Sequence, residues 1–270
     1  MGKVTILSET TKHPLSLIGK MAGTCWGANT DDWEKNTRRG WDCIKSRHGR
    51  TWEFVEVYMV LEHWSARVIR EFYTHIGGAP TRLQESTRYV DCTDFKFVTP
   101  PKIKNNEHPA AQKIYEETMN TIADAVTDLE ELGIPREDAG MLLPLGMETK
   151  IVVRMNLRTL VDMAHQRLCA RAYWEYRDLM KQIRECLSDY SVEWEPIITE
   201  LFKPKCEDCG FCREKHSCGR KPTYEELYSK IYDTQSLSDV LKIITQNFHL
   251  LTEEQKEEIC SLMSGSKSDN

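Results

Sequence analysis

Residues 143–180, LPLGMETKIVVRMNLRTLVDMAHQRLCARAYWEYRDLM, hold a strand and a long helix in one unbroken stretch, and the fold class follows from them. Glu148 to Met155 carries the β-branched run Ile151, Val152 and Val153, which suits a strand. Asn156 follows at the place where a side-chain oxygen can cap a helix N-terminus. From there the spacing of Leu160, Ala164, Leu168, Leu179 and Ile183 predicts one helix reaching roughly Leu187. A second strand is expected upstream, where Val55, Val57, Met59 and Leu61 alternate with Glu56, Tyr58 and Val60. Strands and long helices mixed in this way predict an α+β (α/β-type mixed) fold, a sheet flanked by long helices.

Upstream of that stretch, Ser65 can cap a short helix with Ile69, Phe72 and Tyr73 at helical spacing, and IGGAPTR at 76–82 reads as a loop because Gly77, Gly78 and Pro80 interrupt it. Residues 87–99 read as extended and stop at Pro100-Pro101. A long amphipathic helix is expected next, from Ala111 through Ile114, Tyr115, Met119, Ile122, Val126 and Leu129 to Leu132, ended by Gly133 and Pro135. A further helical turn runs from Arg136 towards Pro144. After Leu201 the composition changes to KPKCEDCGFCREKHSCGRKP, poor in apolar residues. The expected organisation is therefore residues 1–201 as the main domain, 202–222 as a Cys-rich segment and 223–270 as an appendage. In the appendage, helical patterns lie around Leu227, Leu237 to Ile244 and Ile259, ahead of a disordered SGSKSDN tail.

The chain has 270 residues, 40% of them apolar and 9% aromatic, ample for a packed core. A net charge of −6 argues against a general nucleic-acid binder, because a phosphate backbone selects for a basic footprint. The N-terminus lacks a secretory apolar core, MGKVTI lacks the hydroxyl residue of a myristoylation signal, and no apolar run approaches the roughly 20 residues that cross a bilayer. A cytoplasmic protein with reduced cysteines is expected. In that setting Cys206, Cys209, Cys212 and Cys218, spaced C-x2-C-x2-C-x5-C with His216 nearby, read as a structural Zn site, as iron–sulfur ligands or as free thiols. Cys92 and Cys169 read as core residues. No P-loop, G-x-G-x-x-G or Ser-His-Asp order stands out.

Two constellations carry candidate chemistry. In RLQESTRYV, residues 82–90, alternation would place Gln84, Ser86 and Arg88 on one strand face, where amide, hydroxyl and guanidinium could hold a phosphate. Equally, Arg88 could simply pair with Glu85 or Asp91 on an ordinary strand. In the second, Arg167 follows Asn156 by eleven residues, close to three helical turns, so one helix could touch two ends of a ligand site. Arg158 and Asp162 stand at i,i+4 and could form a surface pair.

These two regions resemble the flavin-dependent thymidylate synthases. Ser86-Thr87-Arg88-Tyr89 matches the end of that family's Arg-His-Arg…Ser-x-Arg-Tyr motif, while Thr74-His75-Ile76 stands at its start behind a spacer longer by two residues. Leu143-Pro144, Asn156, Arg158, Arg167, Trp174 and Glu175 match the second region without a gap, against a family pattern that ends Ala-Gln-Trp-Glu-Ile. The resemblance covers roughly residues 15 to 200. It implies an enzyme that methylates dUMP at C5 to dTMP with FAD, taking hydride from NADPH and carbon from methylenetetrahydrofolate. It further implies a homotetramer.

By resemblance, Glu71, Gln84, Ser86, Thr87, Arg88 and Arg167 would contact the nucleotide, with Arg167 favouring an ionised uracil N3. Thr74, His75, Ile76, Asn156, Arg158 and Asp162 would contact the flavin. The chain departs from the pattern at Thr74, Ile76 and Gly140, each an arginine in the family, and at Asp162, usually Asn. Arg47, Arg50, Arg70 or Arg82 could compensate. The departures motivate an alternative, a C5 methylase or hydroxymethylase of UMP or another pyrimidine nucleotide; a non-catalytic nucleotide- or protein-binding module is the rival from another class.

Overall fold

The computed structural model describes residues 2–232, 244–248, 251–253, 255–256 and 259. The chain divides into two compact units, Met1–Pro204 and Lys205–Asn270.

The first unit opens with β1 (Lys3–Ile6) and three helices, α1 (Pro14–Gly23), α2 (Trp33–Lys45) and the single turn α3 (Gly49–Trp52). Then come β2 (Glu56–Ser65), α4 (Ala66–Phe72), β3 (Thr81–Gln84), the short α5 (Pro101–Lys104), the long α6 (Ala110–Glu131) and α7 (Arg136–Ala139). β4 (Glu148–Asn156) leads directly into α8 (Leu157–Arg167), followed by α9 (Trp174–Tyr190) and α10 (Trp194–Leu201). The strands form one antiparallel sheet in the order β1-β2-β4-β3, and the architecture is α+β.

Strand alternation decides which face is buried. Val57, Met59 and Leu61 of β2 stand opposite Met155, Val153 and Ile151 of β4, and all six are buried. The register shifts between Leu61 and Trp64, where His63 adopts a left-handed φ of 61°. This extra residue changes the phase of the strand, so that the Trp64 indole rather than the His63 imidazole enters the core. The same core takes in Phe72, Tyr176, Leu179, Ile183 and Trp194 from the helices. On the other face, Arg154 pairs with Glu56 at 2.6 Å and Lys150 with Glu62 at 2.8 Å.

α1 and α2 cross at two glycines. A Cβ at Gly19 would stand 1.8 Å from the Asn36 carbonyl oxygen, and one at Gly40 would stand 1.9 Å from that of Leu15. The two backbones are in contact, so Gly40→Ala forces the helices apart. The expected result is a loss of about 1–3 kcal/mol, read from urea unfolding; an unchanged midpoint would contradict the close crossing.

Several sequence expectations are corrected. The helix predicted from Asn156 to Leu187 is two helices, broken at 168–173, where the chain turns with the Ala172 N–H on the Cys169 carbonyl. Residues 87–99 are not extended: Tyr89 and Val90 both donate backbone N–H groups to the Ser86 carbonyl, which closes a turn. Thr81 and Arg82, read as loop, pair with Arg154 and Val153 in β3. Cys169 is only half-buried, whereas Cys92 is buried in a second small cluster with Phe95, Met119 and Met147. α6 has the predicted extent, but Ile114 is exposed, and so is Leu132, which follows its last residue. Both predicted helix caps are present: the Ser65 hydroxyl oxygen accepts the Val68 N–H and the Asn156 amide oxygen accepts the Thr159 N–H.

In the second unit, α11 (Lys205–Cys209) and α12 (Tyr224–Tyr232) flank a turn in which the Cys212 N–H donates to the Pro222 carbonyl. Tyr224 stacks on Tyr228 there, and Phe211 meets the Tyr224 ring at a tilt. Among the described residues no group of three or more His, Cys, Asp or Glu side chains is placed to hold a metal ion. Cys212 is buried, whereas Cys218 is exposed and Cys206 and Cys209 are half-buried. Most of the pattern from Leu237 to Ile244, and the SGSKSDN tail, lie outside the described residues. No described helix is long and apolar enough to cross a membrane.

Candidate active site

β2 delivers Ser65 to the start of α4, and α4 carries Glu71 and Phe72 to a turn at Tyr73 and Thr74. Beyond it the loop crosses the first turn of α8. Gly78 has φ +69°, and a Cβ there would stand 2.4 Å from Thr159 Oγ1 and 2.5 Å from Asn156 Nδ2, so the loop backbone approaches as only glycine allows. The Thr159 hydroxyl donates to the Gly77 carbonyl at 2.7 Å. The loop next to Thr74, His75 and Ile76 is thereby pinned beside Asn156.

At the other end of α8, Arg167 Nε donates to His75 Nε2 at 3.2 Å, and its terminal nitrogen meets the Glu71 carboxylate at 3.3 Å. The guanidinium lies 4.5 Å above the ring of Tyr176. Arginine only donates, so His75 Nε2 is the acceptor and the ring proton sits on Nδ1. Burial, then the neighbouring Arg167 and Arg82 charges, push the His75 pKa down from 6.5 to about 4. The imidazole is neutral at neutral pH.

Below pH 6.5 the unfolded chain takes up a proton at His75 that the folded chain refuses until about pH 4. The unfolded state then binds more protons, so stability falls as pH drops from 6.5 to 4. In urea titrations, His75→Gln is expected to flatten that part of the wild-type profile; identical slopes would show that His75 does not contribute.

β3 contributes Arg82. Its guanidinium lies over the Tyr73 ring at 4.9 Å and the Phe72 ring at 5.7 Å, and donates to the carbonyls of Tyr73, at 3.2 Å, and of His75. These carbonyls follow the C-terminal end of α4, where a cation is favoured by the helix dipole. Arg82 Nε is buried without a hydrogen-bond partner, and so is the Tyr176 hydroxyl. With Arg82 and Arg167 against the single carboxylate of Glu71, the cluster carries a net positive charge.

The other predicted residues fall elsewhere. Gln84 ends β3 and its amide donates to the Thr149 hydroxyl at 3.2 Å. Ser86 and Thr87 line a cleft of about 330 Å³ whose walls include Glu62, Glu85, Asp91, Asp94, Glu148, Lys96 and Lys150. Arg88 does not share a strand face with Gln84, because the strand ends first; it pairs with Glu137 of α7 at 2.7 Å rather than with Glu85 or Asp91. Gly140 lies against Thr87, where a Cβ would find only ordinary contacts at 3.6–3.7 Å. Arg158 pairs with Glu53 at 2.6 Å rather than with Asp162, which is exposed. Of the four compensating arginines, Arg47 pairs with Glu200, Arg50 and Arg70 are exposed, and Arg82 joins the cluster. Sequence reasoning missed Tyr176, whose signal was an aromatic residue directly after Trp174-Glu175, where the family pattern ends in Ile.

Fold and site together define an α+β protein with a composite cationic site at the sheet edge, assembled from two distant segments. The family model described as thymidylate synthase complementing protein matches residues 6–190, and the chain belongs to that family. Its relatives are named flavin-dependent thymidylate synthases. One, from Nitratidesulfovibrio vulgaris, is 29% identical over 83% of this chain and 97% of its own. Another, from Clostridium tetani, is 32% identical over 84% of this chain and 98% of its own. A third, from Sulfurisphaera tokodaii, is 32% identical over 80% and 89% respectively.

Proposed function

We propose that this chain converts dUMP to dTMP, with FAD as its cofactor, NADPH as the hydride source and methylenetetrahydrofolate as the carbon donor. The observation that carries this reading is the bond between Arg167 and His75, which brings residues from both motif regions to one place at 3.2 Å. A net positive cluster with an unpartnered buried Arg82 Nε fits an anionic, many-acceptor group such as the flavin with its diphosphate. Thr74, His75, Ile76, Asn156, Arg158 and Asp162 are the proposed flavin contacts, and the flavin supplies the redox chemistry. Glu71, Gln84, Ser86, Thr87, Arg88 and Arg167 are the proposed nucleotide contacts. The permanent charge of Arg167 stabilises uracil ionised at N3 and so makes C5 electron-rich. His75, neutral and protonated at Nδ1, offers a donor without adding a competing charge. Glu71 and His75 fix the two edges of the Arg167 fork, so its orientation is set before substrate arrives.

The test is a visible spectrum of the protein reconstituted with FAD, followed through anaerobic NADPH addition with dUMP or UMP, then product analysis. Flavin bleaching accelerated by dUMP and formation of dTMP are expected. Failure to retain flavin after reconstitution would overturn the reading, and acceleration by UMP alone would move it to a different pyrimidine nucleotide.

A further inference from the structure

Tyr176 belongs to none of the residue sets assigned so far, yet it is fully enclosed within the site. It is wholly buried in the first turn of α9, its ring stacked on Phe72 at 6.1 Å and met edge-on by His75 at 6.0 Å. Arg167 lies 4.5 Å from its centroid. The contacts are mutually dependent, because Phe72 precedes the turn that carries His75 and Arg167 bonds to both His75 and Glu71. A guanidinium lying over an aromatic ring keeps its donors at the periphery, free for bonds on its edges, while the ring face removes the freedom to tilt. The break between α8 and α9 produces this arrangement. Were the two helices continuous, Tyr176 would follow Arg167 by nine residues, two and a half turns, and project from the opposite side of the helix.

We propose that Tyr176 is a positioning residue of this site, its ring forming the shelf that sets the plane of the Arg167 guanidinium and the edge of His75. The part of the proposal that concerns catalysis rests on the function proposed above, in which Arg167 faces the uracil. The ring, not the hydroxyl, does the positioning, so the two halves of the side chain separate experimentally.

The experiment compares wild type, Tyr176→Phe, Tyr176→Leu and Arg167→Gln in the FAD-reconstituted protein, with two readouts. The first is the ultraviolet difference spectrum of bound dUMP against pH, which reports N3 ionisation without turnover. Tyr176→Phe is expected to match wild type, whereas Tyr176→Leu shifts the ionisation to higher pH by about one unit, with kcat about tenfold lower and the KM for dUMP within about threefold. The second is the Nε–H resonance of Arg167 in protein carrying 15N-arginine, identified by its loss in Arg167→Gln. It should show a ring-current shift retained in Tyr176→Phe and lost in Tyr176→Leu. If Tyr176→Leu folds and leaves both the resonance and the dUMP titration unchanged, the proposal is overturned. If the resonance moves as expected but wild type binds no dUMP, the shelf stands and the proposed function fails.

Discussion

Arg167→Gln is expected to lower kcat for dTMP formation by about 10²–10³-fold, the usual cost of removing one preorganised charge from a transition state. The replacement keeps only a neutral amide near the place of Nε, and it removes the cation over Tyr176 and the fork that joins His75 to Glu71. Folding should suffer little, because Arg167 is partly exposed and its carboxylate partner Glu71 can turn to water. The separation of these effects is what makes the variant informative: a large loss of turnover at nearly constant unfolding midpoint. Arg167→Lys should fall between the two, since a single ammonium restores charge without the planar fork. Turnover within about threefold of wild type in Arg167→Gln would remove Arg167 from the chemistry.

How much of this was legible depends on the kind of signal each element carries. β2 and β4 were readable because one face is buried and the other wet, so apolar residues alternate; Ser65 and Asn156 were readable as caps because a short polar side chain before an apolar period has few other uses. The break at 168–173 was not, because LCARAY holds no Gly or Pro and each residue tolerates a helix. Tertiary contacts made it: Tyr173 turns back to put its ring under Arg67, 5.0 Å away, and its hydroxyl on Glu175. Arg88 was misplaced for a similar reason, since nothing local reveals that Ser86 closes a turn and hands Arg88 to Glu137. Within the site, His75 and Arg167 were named from sequence, but their contact, and the presence of Arg82 and Tyr176 beside them, depend on pairings across the sheet and between helices that no local window contains.

The same break accounts for the largest expected effect on stability, at Glu175. Its carboxylate is buried and accepts three hydrogen bonds, from the Ser65 N–H at 2.7 Å, the Ser65 hydroxyl at 2.5 Å and the Tyr173 hydroxyl at 3.1 Å. Ser65 is at once the last residue of β2 and the cap of α4, so one side chain ties the end of the central strand, the start of the helix that carries Glu71, and the first turn of α9. Glu175→Ala leaves these donors facing a cavity. Each unmet buried donor costs about 1–3 kcal/mol, and the substitution leaves three of them. Urea unfolding of Glu175→Ala is therefore expected to show a loss of at least about 3 kcal/mol, with Glu175→Gln intermediate because its amide oxygen still accepts. A loss under about 1 kcal/mol would mean that water replaces the carboxylate and that the joint is weaker than its geometry. The consequence reaches the site, because Tyr176 is the next residue. Loosening Glu175 should therefore weaken turnover even in the molecules that remain folded, with Tyr176, Arg167 and His75 losing their common support together.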